Sequence, residues 1–482
     1  MLDLGVSLVL PQTSVTAHAP GWTLYRNLYM SNGTLFIVTS HPEDSEFPEI
    51  RMMTSTGLPA FNTPENIALR EPTALDMDFL SPEQAKRRWG GDPQNGQRNR
   101  IWTIEGNTLL FNDPPQFLNH YYHFVAELFF GTWAFLYGAF VSGAMSPSPS
   151  SISAAFQEPS FNLYSETAFQ PPPLTRAIFI HASSDAWRDV PGFNAYFLRA
   201  AFPSLALETS GDWDDRVTAT SVAPGSGHVT KGRAWHFPVA MLVDRSAAHR
   251  GDACGSRTQR TAAEAWELMI GKGSLDLVGI WWGSVRGAVL RFAGVDAKDM
   301  RDVAQETSGQ VGDLPLSLPI PEKVLIVYIT RQGVRRHLIE DDHLALVAAL
   351  EEMVDRKESE GVEWELNVVQ AETLTKDEQI KLAGRATILL GVHGNGLTHL
   401  VFMQPTRTSA VVEIFFPGGF SQDYEWTTRA LGMRHFSVWN DTYFTHPNEP
   451  EVAYPDGFQG SSIPVHGPTV AKLIKDQLEG IL

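Results

Sequence analysis

In the last third of the chain, apolar runs of strand length alternate with segments of helical spacing, and this alternation restricts the fold more than any other feature. Val324-Leu-Ile-Val-Tyr-Ile329 is continuously apolar, as expected of a strand buried on both faces. Asp341 to Asp355 sets Leu344, Val347, Leu350 and Val354 three and four residues apart, which makes one apolar helix face. Leu366-Asn-Val-Val369 reads as a second strand. Thr375-Lys-Asp-Glu378 is a capping box that opens a helix through Leu382. Thr387 to Val392 and Ala410 to Phe415 read as two further strands. Strands separated by helices at intervals of about 20–40 residues predict an α/β domain with a doubly wound parallel sheet.

The rest of the chain is less regular. Tyr121 to Phe140 is apolar with helical spacing, and Arg176-Ala-Ile-Phe-Ile-His181 reads as a buried strand. Between them, residues 142–173 are rich in Ser, Pro and Ala and are expected to form a disordered surface insertion. Gly and Pro cluster again near Ser308–Pro321. These punctuations predict an N-terminal domain over 1–315 and a C-terminal domain over 316–465. A last helix over 466–482 is expected to pack back on the N-terminal domain.

Composition removes several function classes. The 482 residues hold 37 Lys and Arg against 55 Asp and Glu, a formal net charge of −18. A chain this acidic disfavours nucleic acid as a general partner. The single cysteine, Cys254, excludes a disulfide-stapled module. No apolar run reaches the roughly 20 residues that a membrane-spanning helix needs. The apolar start, Met1 to Pro11, carries Asp3 and lacks the basic residue of a signal peptide. Asn-x-Thr sequons at Asn32 and Asn440 say little about compartment, since a chain of this length carries a few by chance.

Ligands of open α/β sheets bind at the carboxyl ends of the strands, and two motifs follow predicted strands. Thr330-Arg-Gln-Gly-Val-Arg-Arg-His337 gathers Arg331, Arg335 and Arg336 within six positions. Guanidinium groups match phosphate geometry in pairs; the alternative is a solvated basic loop. Gly391-Val-His-Gly-Asn-Gly-Leu-Thr-His399 places His393, Asn395, Thr398 and His399 around Gly394 and Gly396, which permit a tight turn. Two histidines there are more simply structural than metal-ligating. In the N-terminal half, His123 and Glu127 are i and i+4 neighbours within Asn119-His-Tyr-Tyr-His-Phe-Val-Ala-Glu127. A histidine and a carboxylate in an apolar setting can take a proton from a hydroxyl, or form a plain helical pair.

Together these motifs resemble glycosyltransferase family 61. The family signature GVHGAGLTN, followed by an apolar stretch, a Pro and a VxEI strand, is similar to Gly391–His399, Val401-Phe-Met-Gln-Pro405 and Val411-Val-Glu-Ile414. The arginine loop resembles Thr330-Arg331 with Arg335-Arg336-His-Leu-Ile-Glu340. The N-domain motif, a histidine with an acidic residue four positions later, resembles Tyr121-Tyr122-His123 through Glu127. Val243-Asp-Arg-Ser-Ala-Ala-His-Arg250 is similar to a further family stretch. Departures are Asn395 for the usual Ala, His399 at a position of Asn or His, and Glu127 for the more frequent Asp.

The resemblance implies a GT-B type fold, with two Rossmann-like doubly wound domains facing a cleft. It also implies an inverting, metal-independent transfer from a UDP-sugar, with xylose or GlcNAc expected, to a hydroxyl of a glycan or glycoprotein. No cofactor is expected beyond the nucleotide-sugar donor. The leaving diphosphate would fall to Arg331, Arg335 or Arg336 with the Gly394–Thr398 loop. His393 and His399 would line the same nucleotide site, Glu413 would reach ribose hydroxyls, and Glu127 would be the base, tuned or replaced by His123. Asp76-Met-Asp78 and Asp212-Trp-Asp214 are the only Asp-x-Asp tripeptides available to a metal-dependent alternative. The family works mostly in the Golgi lumen, which implies the secretory pathway, although a cytoplasmic location stays open. A non-catalytic sugar-nucleotide or glycan-binding protein and a nucleotide-sugar epimerase are the competing readings.

Overall fold

The computed structural model describes residues 3–42, 47–61, 63–141, 173–221, 232–248, 281–300, 310–311, 314–315, 318–460 and 462–482. The expected insertion therefore lies outside the described residues, apart from Pro173. The chain divides into two units, Met1–Gly273 and Ser274–Leu482, so the division falls earlier than the expected 315/316. No helix among the described residues is long and apolar enough to cross a membrane.

The second unit is the doubly wound sheet the sequence predicts. After a small hairpin, β10 (Gln310–Val311) with β11 (Leu314–Pro315), come β12 (Val324–Thr330), β13 (Trp364–Gln370), β14 (Ile388–Val392), β15 (Ala410–Ile414), β16 (Arg434–Trp439) and β17 (Thr442–Phe444). The six-stranded sheet runs β13-β12-β14-β15-β16-β17. Its first five strands are parallel, and β17 returns antiparallel through a tight turn at Asn440. The strand order reverses at β12 and β14, and the carboxyl ends of those two strands flank the topological switch point where such sheets bind ligands.

Helices cover this sheet as their sequences require. Glu340–Ser359 starts with Glu340, Asp341 and Asp342 and ends with Arg356 and Lys357, so its charges oppose the helix dipole at both ends. Lys376–Arg385 opens with the Thr375/Glu378 capping box. The last helix, Gly467–Leu478, buries Val470, Ala471, Leu473 and Ile474 in one cluster with Leu346, Leu350, Ile326 and Val412. This corrects the expectation that it packs back on the N-terminal domain. Its apolar face completes the core of its own sheet.

The first unit is a mixed sheet, in which antiparallel strands adjoin a parallel block. Its strands are β1 (Ser14–Ala19), β2 (Trp22–Ser31), β3 (Thr34–Val38), β4 (Met77–Leu80), β5 (Ile101–Thr103), β6 (Asn107–Phe111), β7 (Leu174–Phe179), β8 (Ala206–Glu208) and β9 (Ala234–Val243). The order is β4-β3-β2-β9-β6-β7-β8, with β1 on β2 and β5 on β9. Pro20-Gly21 and Asn32-Gly33 are two-residue turns, and both residues of the second turn have positive φ. Turns that short can join only antiparallel neighbours, which fixes β1, β2 and β3. The block β9-β6-β7-β8 is parallel, and its carboxyl ends carry the polar residues described below.

Candidate functional site

In the second unit, β12 ends in Thr330 and delivers Arg331 to the switch point. The loop that follows is braced by Gln332, whose amide donates to the Leu338 carbonyl (3.1 Å) and to Glu340 Oε2 (2.9 Å). Arg336 adopts a left-handed backbone, φ +57°, a conformation rare outside glycine and tolerated where surrounding structure enforces it. Arg331 is folded against Gly394. A Cβ at Gly394 would lie 2.0 Å from Arg331 Nη1, and φ there is +153°. Glycine at 394 therefore leaves room for the Arg331 guanidinium where it lies.

The electrostatics of this loop are unusual for a folded protein. No described carboxylate pairs with Arg331, Arg335 or Arg336. The Nε atoms of Arg331 and Arg336 are buried and make no hydrogen bond. Burial lowers the pKa of both, and the neighbouring guanidinium groups lower it further. Arg335 is exposed, and its carbonyl accepts from Arg331 Nη2 at 3.3 Å. Glu372 acts on Arg331 and Glu413 on Arg336 from a distance, but among the described residues no carboxylate forms an ion pair with either.

Behind the loop stands a buried chain of three residues from adjacent strand ends. Glu413, on β15, has no exposed surface. Its Oε1 lies 2.5 Å from His393 Nδ1 and its Oε2 lies 2.8 Å from His435 Nε2. Burial pushes the Glu413 carboxyl well up; Asp423 and Glu425 push the same way and Arg336 opposes them. Burial holds the His393 ring neutral, helped by Arg336 and Arg331. It also pushes His435 down to about 3. Glu413 therefore does not offer its oxygens to ribose hydroxyls, as expected from the sequence; both face histidines.

The other expected residues separate. Thr398 is fully buried and hydrogen-bonds Asn395 Oδ1 at 3.2 Å and the Tyr424 hydroxyl. His399 turns instead to the neighbouring helix, where its Nε2 meets Gln379 Oε1 at 2.9 Å. Burial holds it down to about 4, which keeps the ring neutral. A Cβ at Gly396 would lie 3.2 Å from Ile329 Cγ2. Tyr424 and His435 join the site without having been singled out in the sequence. His435 lies in β16 beside Arg434 and Ser437, so no apolar pattern around it marks it in the sequence.

In the first unit, Tyr122–Phe129 is π-helical and continues as the α-helix Phe130–Val141. Such wide turns recur at functional sites. His123 Nδ1 lies 2.6 Å from Glu127 Oε2, and the His123 side chain is 28% exposed against 1% for Glu127. Arg245, just past the end of β9, binds the same carboxylate oxygen through Nη1 at 2.9 Å. It also binds Asp113 Oδ2 through Nε (2.6 Å), the His123 carbonyl (2.7 Å) and the Phe117 carbonyl (3.1 Å). Asp113 follows β6. Next to it, Asn112 donates to Asp244 Oδ2 (2.8 Å) and accepts from His181 Nε2 (2.9 Å). The carboxyl ends of β9, β6 and β7 thus hold one continuous polar network. Asp113 and Arg245 were not singled out as site residues, although Asp244-Arg245 lies in the stretch 243–250.

In this geometry the exposed member of the His123/Glu127 pair is the histidine. Glu127 accepts the Nδ1 proton and is neutralised by Arg245, which leaves His123 Nε2 as the basic atom. The two Asp-x-Asp tripeptides serve local structure. Asp76 caps the turn at Thr73, and Asp212 forms the capping box of the helix Ser210–Thr220.

A family model described as glycosyltransferase 61 matches residues 121–411, more than half of the chain. The match takes in His123, Glu127, Arg245, the arginine loop and the 391–399 loop, and stops two residues before Glu413. A search of curated proteins finds no match.

Proposed function

The chain belongs to glycosyltransferase family 61, and from that premise we propose that it is an inverting, metal-independent transferase of the two-domain GT-B type, moving a sugar from a UDP-sugar to a hydroxyl of a glycan or glycoprotein. The observation that carries this reading is the arginine loop, three guanidinium groups at a sheet switch point with no ion-paired carboxylate among the described residues. Charge builds on the diphosphate as the bond from the anomeric carbon to the diphosphate oxygen breaks, and preorganised cations in a partly buried site stabilise it most where it develops. Arg331 and Arg336 take that role. Neutralisation by guanidinium groups makes a divalent ion unnecessary for this step.

His123 is the base. As the acceptor oxygen bonds to the anomeric carbon, its proton passes to His123 Nε2, while Glu127 holds Nδ1–H and stabilises the imidazolium. Attack opposite the leaving group inverts the centre. Xylose or GlcNAc is the donor sugar we favour, and the secretory pathway the compartment, both by family resemblance.

The test is UDP binding by calorimetry, then release of UDP from a panel of UDP-sugars with and without acceptor. Arg336→Ala should weaken UDP binding by about 1.5–3 kcal/mol, the range for a charge-assisted hydrogen bond, or roughly 10- to 150-fold. Unchanged affinity removes the arginine loop from the donor site. Binding without any turnover across the panel would favour a non-catalytic binding protein.

A further inference from the structure

The Glu413 chain has chemistry that the reading above leaves unused. His435 Nδ1 is buried and makes no hydrogen bond. A bare lone pair is better tolerated there than an orphaned N–H, so the proton of His435 sits on Nε2 and is donated to Glu413 Oε2. His393 Nδ1 is tied to Glu413 Oε1. Its Nε2 makes no hydrogen bond among the described residues, and 11% of the His393 side-chain surface stays open.

Two proton counts are then available to the His393–Glu413 pair. With one proton, His393 Nδ1–H donates to a carboxylate, and Nε2 is an acceptor. With two, one proton lies on the short bond and the other on Nε2, which becomes a donor. The charged and titratable groups facing the pair decide between them. Arg331 and Arg336 face it from the loop after β12, His435 from β16, and Asp423, Tyr424 and Glu425 from the helix Asp423–Ala430. The arginines favour the anionic, one-proton state. Burial and the two acids favour the two-proton state. An anion bound on the arginines cancels their field and leaves the acids and burial in control.

We propose that, with a diphosphate on Arg331 and Arg336, the His393–Glu413 pair holds two protons and His393 donates its Nε2–H to a phosphate oxygen, with Glu413 and His435 as positioning residues. The second proton comes from solvent on binding and returns when the nucleotide leaves. This rests on the reading of the arginine loop as a diphosphate site.

Glu413→Gln tests it. A glutamine amide donates N–H to His393 Nδ1 and its carbonyl accepts from His435 Nε2–H, which locks His393 in the Nε2–H form. UDP is titrated calorimetrically into both proteins from about pH 6 to about pH 9, in buffers of different ionisation enthalpy. The glutamine variant is expected to bind UDP within about threefold of the wild type at neutral pH, whereas Glu413→Ala loses about tenfold or more. The wild type should take up more protons on binding than the variant, and should weaken relative to it as the pH rises. A folded glutamine variant that loses about tenfold or more, or equal proton uptake by the two proteins, overturns the proposal. If the variant does not fold, nitrogen-15 spectra of the wild type with UDP decide: protonated His393 Nε2 is expected, and a bare Nε2 overturns it. Failure of the diphosphate reading looks different, since Arg336→Ala would then leave UDP affinity untouched.

Discussion

The two candidate sites treat arginine in opposite ways. Arg245 in the first unit is 3% exposed and answered by the chain, with Asp113 and Glu127 as counter-charges and the His123 and Phe117 carbonyls as further acceptors. Arg331 and Arg336 in the second unit are only partly buried, repel one another and meet no carboxylate among the described residues. The difference separates architecture from binding. A buried cation with its partners supplied by the protein fixes geometry, here the carboxylate that aims His123. A cluster of like charges without an ion-pair partner costs stability, and the proposed diphosphate would offset that cost.

The largest effect expected from this contrast is kinetic. His123→Ala should lower turnover by about 10²- to 10⁴-fold, the usual contribution of a positioned base. Its effect on the thermal midpoint should be small, because the ring is partly exposed and packs at an edge. Release of UDP from the donor measures the first and a melt the second; turnover within about twofold of wild type would move the base elsewhere. Next is Arg245→Met, which leaves two buried carboxylates without their cation. It should destabilise the protein by roughly 3–5 kcal/mol and lower the thermal midpoint by about 10 °C. A midpoint unchanged within about 2 °C would mean that Asp113 and Glu127 find another partner.

Arg336→Met should behave in the opposite sense. The protein keeps its stability within about 1 kcal/mol, or gains a little, since repulsion is relieved, while UDP binding weakens by roughly 10- to 150-fold. A fall of several degrees in the midpoint would make Arg336 a structural residue and erase the comparison. The smallest effect concerns His236 in the first unit and His399 in the second, each held down to about 4 by burial. Below about pH 6.5 the unfolded chain binds protons that the folded protein refuses until about pH 4. Stability should therefore be full above pH 6.5 and fall as the pH drops through that window. His399→Gln should flatten the second unit's share of this loss in a denaturant titration at several pH values.

Three strands of the second unit, β12, β14 and β15, were legible because each is buried on both faces and reads as an almost continuous apolar run, and they fall within one residue of their expected bounds. The first unit was not. Its antiparallel strands depend on the two-residue turns at Pro20-Gly21 and Asn32-Gly33, and the parallel block draws β6, β7 and β9 from positions far apart in the chain. The last helix shows the same limit from another side. Its apolar face was visible, but not which core would receive it.

By itself the sequence determined the local chemistry: three arginines after one strand, a glycine loop after another, a histidine and a carboxylate four residues apart. Each is a short-range pattern, written in consecutive residues. Tertiary structure alone decided which of these groups keep their charge free. Arg245 and Asp113 stand 132 positions apart and meet at neighbouring strand ends, and Glu413 meets His393 and His435 across 20 and 22. Such contacts set burial and counter-charge, and those two quantities decide whether an ionisable group holds the fold or is left to bind a ligand.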